Sequence, residues 1–287
     1  MRSFYKVDTP CGLVLFLKQA LNVSGKKVKA ILDARVVFVN GQRIWMAKHP
    51  LEEGDEVEVC EVPSSPRQGS IKILHEDKEY LVVNKSVGIL SSGLDSIEER
   101  LRKQEKCPAV NLVHRLDKDT SGCLLLAKEG DAKERMIPLF KKQQVSKQYL
   151  AISMGCIPHK IKKITKPIEG QIAITGIKVI DGNKQASLLS IDLHTGRTHQ
   201  IRKHLASIGH PIAGDKHYAT LKLVDPVLKK VPRQMLHAWQ LSFKHPQTGI
   251  SIHVTAPLPD DFRRCLKQMD LPNNFCKNNV LAVKTIQ

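Results

Sequence analysis

The segment Val113-His114-Arg115-Leu116-Asp117-Lys118-Asp119-Thr120-Ser121-Gly122 packs five ionisable side chains into six positions and then drops into the apolar run Cys123-Leu124-Leu125-Leu126-Ala127. Polar groups on a turn at the mouth of a buried strand are where sites commonly sit. A carboxylate placed there serves as a nucleophile, a general base or a turn cap. The turn sequence Asp119-Thr120-Ser121-Gly122 accounts well for Asp119. It accounts less well for Asp117, because Arg115 and Leu116 beside it have no turn role. A second dense segment is Thr195-Gly196-Arg197-Thr198-His199-Gln200-Ile201-Arg202-Lys203-His204-Leu205. Ile201, Leu205 and Ile208 share one helical face, so the helix packs by that stripe. Arg202 is one residue from the stripe and can lie at its edge. Its guanidinium could pair there with a carboxylate from another element and keep it ionised. Arg197, near the start, would be free to meet phosphate. A basic, solvated helix face explains the same spacing equally well.

Several other chemistries have no support. The chain contains neither GxGxxG nor GxxxxGK[ST], which argues against nucleotide hydrolysis, and no GxSxG of a serine hydrolase. Its seven cysteines, at positions 11, 60, 107, 123, 156, 265 and 276, form no CxxC pair. Neither a disulfide framework nor a zinc finger is expected, and most should be reduced and buried. His199 and His204 are five residues apart, too far round a helix to converge on a metal. No metal and no cofactor are expected.

The elements that must position these residues divide in two. A length of 287 residues suits one large domain plus a small one. Forty-five Lys and Arg against 28 Asp and Glu leave a net charge of +17, with 41% hydrophobic residues to build a core. Such a surplus calls for a polyanionic partner, nucleic acid before an anionic membrane surface. No apolar run approaches the length of a membrane span and no secretory signal opens the chain, so a soluble, cytoplasmic protein is expected.

Residues 1–62 read as a separate module. Leu13, Phe16, Leu17 and Ala20 give Gly12 to Leu21 helical spacing, and a second amphipathic segment runs from Lys26 to Leu32. Val36 to Val39 reads as a strand, Asn40-Gly41 as a hairpin turn, Gln42 to Met46 as the return strand, and Glu56 to Cys60 as an alternating strand. Lys26, Lys27, Lys29, Arg35 and Arg43 gather on the helix and hairpin and are candidate RNA contacts; a solvated surface explains them too. This stretch resembles the small RNA-binding domain named after ribosomal small-subunit protein four, the S-four domain. The likeness lies in Ser24 to Leu32, in Val36-Phe38-Val39-Asn40-Gly41 and in Gly54-Asp55-Glu56-Val57. The family usually places Ser-Arg before its basic helix, where this chain has Ser-Gly-Lys-Lys. Residues 63–70 are a turn-rich linker.

From Ile71 the pattern is strand-rich. Strands are expected at Lys72 to Leu74, Tyr80 to Asn84, Gly122 to Ala127, Lys147 to Met154, Gln171 to Ile180, Gln185 to Leu193, His237 to Phe243 and Ile250 to Val254. Helices are expected at Ser96 to Lys103, Asp131 to Lys142, Arg197 to Ile208 and Asp260 to Met269. Strands follow strands as often as helices, so the fold class is α+β: a large mixed or antiparallel sheet over residues 71–269, with a small N-terminal α/β domain. Residues 270–287 form a polar tail.

Residues from about Ile71 to Ala256 resemble the RluA-type family of RNA pseudouridine synthases. The carriers stand in the family's order: Glu76-Asp77, Val82-Val83-Asn84-Lys85, His114-Arg115-Leu116-Asp117 with Thr120-Ser121-Gly122, and Lys147-Gln148-Tyr149-Leu150-Ala151. Thr195 to Arg202 follows, then Gly209-His210-Pro211-Ile212, Gly214-Asp215, Leu236-His237-Ala238 and Phe243-x-His245-Pro246-x-Thr248-Gly249. One departure is Ser86, where the family usually has proline. The resemblance implies an enzyme that detaches a uracil, rotates it and rejoins it through carbon five, on a base flipped from its stack and without a cofactor. It implies that Asp117 is the catalytic aspartate, nucleophile or ribose-directed base, with Arg202 holding it ionised and Tyr149 stacking on the uracil and helping to remove the carbon-five proton. Arg115 would fill the space of the flipped nucleotide and Leu236 would wall the pocket, with Arg197 and His114 as further substrate contacts.

If Asp117 and Arg202 are partners, they must approach to roughly 2.7–3.2 Å, and Arg202→Ala should lower activity more than stability. An S-four domain ahead of this catalytic domain favours large-subunit ribosomal RNA over tRNA, acted on by a monomer. A non-catalytic RNA-binding or ribosome-assembly factor is the competing class; it would lack the Asp, Tyr or Arg, and all three are present. A methyltransferase would need a glycine loop that is absent.

Overall fold

A computed structural model describes residues 2–34, 36–44, 46–60, 71–93, 95–103, 107–219 and 231–272. The chain divides into two compact units, Met1–Ser70 and Ile71–Gln287.

The first unit holds strands β1 (Arg2–Lys6) and β2 (Cys11–Gly12), helices α1 (Leu13–Ala20) and α2 (Gly25–Ala34), and strands β3 (Val37–Val39), β4 (Gln42–Arg43), β5 (Pro50–Leu51) and β6 (Glu56–Cys60). Its sheet runs β1-β6-β3-β4, and β2 pairs β5 separately. Leu13 and Leu17 of α1 and Val28, Ile31 and Leu32 of α2 pack on Val37, Val39, Val57 and Val59. The turn uses positive φ at both Asn40 (49°) and Gly41 (74°), the mirror-image geometry that matches strand twist. Asn40 also ties the hairpin to β6, donating to Asp55 at 2.7 Å and accepting from the Glu56 N–H at 3.0 Å. Strand β4 ends at Arg43, shorter than the expected return strand, although the Ile44 N–H still donates to Val37. Strand β1 carries no clean alternation and is not legible in the pattern. Lys27 and Lys29 are exposed on α2. Arg35 lies outside the described residues, as do the side chains of Lys26 and Arg43.

The second unit is an α+β fold on a ten-stranded sheet. Its elements are β7 (Ile73–Glu76), β8 (Tyr80–Lys85), α3 (Ile97–Lys103), β9 (Asn111–Leu112), β10 (Ser121–Ala127), α4 (Gly130–Lys141), β11 (Ser146–Met154) and β12 (Lys163–Ile164). They continue with β13 (Thr175–Gly182), β14 (Ala186–Leu193), α5 (Gln200–Ser207), β15 (Leu236–Lys244), β16 (Ser251–Thr255) and α6 (Asp260–Gln268). The order is β12-β13-β14-β11-β15-β10-β8-β7, with β16 on β15 and β9 on β10. Strand β10 is buried throughout because both of its faces are covered. Leu124 and Leu126 join one core with Leu81 and Val83, while Cys123, Leu125 and Ala127 join another with Tyr80 and Val82.

The pairings are antiparallel except where β10 meets β15, Ser121 opposite His237 and Gly122 opposite Ala238. Gly122 permits that approach. Its φ is 112°, and a Cβ there would stand 2.1 Å from the Ala238 carbonyl oxygen. The parallel contact brings the mouth of β10, where Asp117 sits, beside the start of β15, where Leu236 sits.

Candidate active site

Asp117 lies on a tight turn closed by the Thr120 N–H donating to its carbonyl at 3.0 Å. Neighbouring segments grip this turn by its backbone. The Lys118 carbonyl accepts from the Lys85 ammonium at 2.9 Å and from the Gly88 N–H at 3.0 Å. The Asp119 carbonyl accepts from Arg233 at 3.1 Å, and the Leu116 N–H donates to Ser91 Oγ at 3.0 Å. Arg233 is itself fixed by Asp261 of α6, through bonds of 2.7 and 3.0 Å. These contacts fix where the Asp117 side chain leaves the backbone.

Asp117 and Arg202, 85 residues apart, meet through Arg202 Nη1 donating to Asp117 Oδ2 at 3.0 Å. Arg202 is 3% exposed. Its Nε and Nη2 donate to Asp215 at 2.6 and 3.0 Å, a two-point pair with a carboxylate that has no exposed surface. The Tyr218 ring lies 5.1 Å from the guanidinium carbon. Burial opposes charge on both partners. The ion pair outweighs it, holding the Asp215 carboxyl below the usual range and raising the Arg202 pKa.

Gln234 extends the arrangement, its amide donating to Thr120 Oγ1 at 2.9 Å and reaching Asp117 Oδ2 at 3.5 Å. Sequence reasoning gave neither Asp215 nor Gln234 a role, although Gly214-Asp215 stood among the family's motifs; Gln234 was not named at all. A signal for Asp215 did exist. A buried arginine has more donors than one carboxylate can accept, so pairing with Asp117 alone leaves a second acceptor to be found.

Tyr149 reaches the site from β11. The β11–β15 register shifts between Gln148, opposite Gln240, and Tyr149, opposite Ala238; such bulges re-aim side chains. The ring is buried, and burial together with the Asp117 charge raises its pKa above the usual tyrosine value, so the phenol is protonated at neutral pH. Arg115, Asp117, Tyr149, Arg197, Arg202 and Leu236 line one open cleft. Arg115 and Arg197 are its exposed cations.

Two expectations need correction. His114 does not reach the cleft. Its ring stacks on Phe140 and its Nε2 accepts from the Leu125 N–H at 3.0 Å; burial, with Lys147 nearby, pushes its pKa down to about 3. The ring is therefore neutral and anchors the turn to β10. The helix expected from Arg197 begins at Gln200. The Gln200 side chain accepts from Thr195 Oγ1 and the Arg197 N–H and donates to the Ile174 carbonyl, and this tie replaces the first helical turn. Arg197 consequently lies on the loop, donating to the Ile172 carbonyl at 3.2 Å. Among the described residues, no group of three or more His, Cys, Asp or Glu side chains could hold a metal ion, and no helix is long and apolar enough to cross a membrane.

Residues 79–207, which include Asp117, Tyr149 and Arg202, match the family model described as RNA pseudouridylate synthase. The chain is 33% identical over 231 residues to a ribosomal large subunit pseudouridine synthase D of Nitrosomonas europaea, covering 71% of this chain and 67% of that one. It is 32% identical over 293 residues to a ribosomal large subunit pseudouridine synthase C of Buchnera aphidicola, covering 88% and 92%. The chain belongs to the RluA-type pseudouridine synthase family. It is an RNA pseudouridine synthase, an isomerase. Among solved structures, the human RNA pseudouridylate synthase domain containing 4 matches this synthase with a TM-score of 0.59 and 26% identity, over 70% of this chain and 94% of that one.

Proposed function

We propose that the synthase converts specific uridines of large-subunit ribosomal RNA to pseudouridine, with Asp117 as its catalytic carboxylate. The observation that carries this reading is the Asp117–Arg202 contact of 3.0 Å in a cleft also lined by Tyr149. The relatives' names, which specify the large ribosomal subunit, favour that substrate over tRNA.

The target uridine must leave its stack, since neither its ribose carbon one nor its ring can be reached within a helix. Arg115, exposed at the rim, fills the space it vacates, while Arg197 meets backbone phosphate and Leu236 walls the uracil. Arg202 holds the Asp117 carboxylate in place and aims it, either as the nucleophile or as the base that takes a ribose proton. Tyr149 begins as a neutral phenol against the uracil. Its oxygen accepts the carbon-five proton as its own hydroxyl proton passes to water at the open mouth of the cleft.

Residues 1–62 act as an S-four-like RNA-binding domain, joined by 63–70 to the catalytic domain at 71–269. Lys26, Lys27, Lys29, Arg35 and Arg43 contact phosphates, which raises affinity and selects structured substrate. The enzyme works as a cytoplasmic monomer. Asp117→Asn tests the reading. The amide is nearly isosteric but cannot be an anionic nucleophile or base, so pseudouridine formation on large-subunit RNA should disappear while the thermal transition is retained. Turnover near wild type by the folded variant would sink the assignment, and modification of tRNA alone would redirect the substrate.

A further inference from the structure

His199 stands immediately before α5 with φ 55° and ψ 27°, a left-handed backbone conformation uncommon for a residue with a side chain. Strain of this kind gathers at functional sites. The conformation turns the imidazole into the cleft, where its Nε2 lies 3.8 Å from Asp117 Oδ1. Its Nδ1 lies 3.0 Å from the Tyr218 hydroxyl. Tyr218 is in turn set by the turn that Asp215 builds: the Asp215 carboxylate accepts from the His217 and Tyr218 N–H groups at 2.9 and 3.2 Å. One buried carboxylate thus fixes both Arg202 and the partner of His199.

The two oxygens of Asp117 meet different surroundings. Oδ2 receives Arg202 and Gln234. Oδ1 has the imidazole of His199 beside it. A ring nitrogen facing a carboxylate is favourable when it carries a proton and repulsive when it presents a lone pair. The Tyr218 O–H then donates to Nδ1, and Nε2 holds the hydrogen.

We propose that His199, oriented by Tyr218, is a positioning residue for the reaction, turning a neutral Nε2–H toward Oδ1 of Asp117 across 3.8 Å, too long for a hydrogen bond, so that it steers the carboxylate through its dipole. The inference rests on Asp117 being the reactive carboxylate. A cation fixes one oxygen, and a neutral dipole steers the other toward substrate without a second positive charge that would blunt its reactivity. Burial lowers the His199 pKa, and Arg202, His217 and Lys203 act in the same direction against the opposing pull of Asp117, so the ring is neutral at working pH.

Two measurements test this, the first without RNA. In nitrogen-15 histidine spectra of the full chain at pH 8, the ring whose signals vanish in His199→Gln should be the Nε2–H tautomer, and Tyr218→Phe should shift it toward Nδ1–H. A wild-type Nδ1–H tautomer would overturn the proposal. The second measurement is turnover on RNA that the wild type modifies. His199→Gly, which tolerates the positive φ, should lose about tenfold or more in kcat with KM within about twofold. His199→Gln should recover most of that loss through its amide dipole. Tyr218→Phe should lower kcat in the wild-type background and cost nothing further in His199→Gly. Undiminished kcat in His199→Gly, or a Gln variant no better than Gly, defeats the positioning role. Full activity of Asp117→Asn would defeat the reading of Asp117 instead, leaving the tautomer to decide the His199–Tyr218 geometry.

Discussion

Arg202 gives two of its nitrogens to Asp215 and one to Asp117. The more exposed carboxylate, Asp117, belongs to the cleft; the fully buried one, Asp215, belongs to the scaffold. Arg202 is therefore a structural ion-pair partner as well as the clamp on Asp117. This alters what its loss should do. The sequence alone points to Arg202→Ala harming activity more than stability, but the substitution strands a buried carboxylate. Breaking a buried pair from one side typically costs about 3–5 kcal/mol. Urea unfolding should register a loss of that order together with lost turnover, and Asp215→Ala should do the same. Unchanged stability in both variants would mean that water enters and solvates the remaining partner.

Gly122 should resist substitution for a reason unrelated to chemistry. A Cβ there would collide with the Ala238 carbonyl oxygen at 2.1 Å, and the φ of 112° is unfavourable for any L side chain. Gly122→Ala should destabilise the protein by about 3 kcal/mol or more and separate β10 from β15. A thermal midpoint within a degree or two of wild type would show that the strand pair yields at no cost.

Lys85 makes stability depend on pH. Its ammonium is buried and donates to the carbonyls of Ser86, Ile89 and Lys118. Burial lowers its pKa from the ordinary 10.5 to about 7. Between those values the unfolded chain binds the extra proton, so raising the pH favours the folded state. The wild type should gain stability from pH 7 toward 10.5 relative to Lys85→Met, with the difference in slope read from denaturant unfolding at several pH values. Parallel stability curves would place the Lys85 ammonium in water.

Deleting residues 1–62 should weaken RNA binding and flatten its salt dependence, by about one unit of log–log slope for each phosphate that the shortened chain no longer neutralises. Binding isotherms at several salt concentrations measure both. Circular dichroism should find the remaining chain folded. Unchanged affinity and unchanged slope would remove the N-terminal unit from the RNA interface.

Local regularities made much of this protein legible from its sequence. Five successive buried residues named β10, the Ile201–Leu205 stripe named the face by which α5 packs, and Asn40-Gly41 named a hairpin. Asp117 stood out against a turn expected at residues 119–122, whereas the turn runs from Asp117 to Thr120; Arg202 stood out because it bordered a packing stripe. Each is a statement about one element's own period, which the backbone fixes within a few residues. The two-residue strands β2, β5, β9 and β12 carry no period and left no trace. The resemblance implied that Arg202 would hold Asp117 and that Tyr149 and Leu236 would share a pocket. The second carboxylate, Asp215, and the turning of His114 toward Phe140 were decided by how the packed elements meet. Residues 85 or 117 positions apart meet only when the whole sheet closes around them. Hydrophobic burial drives that closure without direction, so the ionic and hydrogen-bonded contacts that give the site its chemistry are fixed by the packed structure rather than by any stretch of chain.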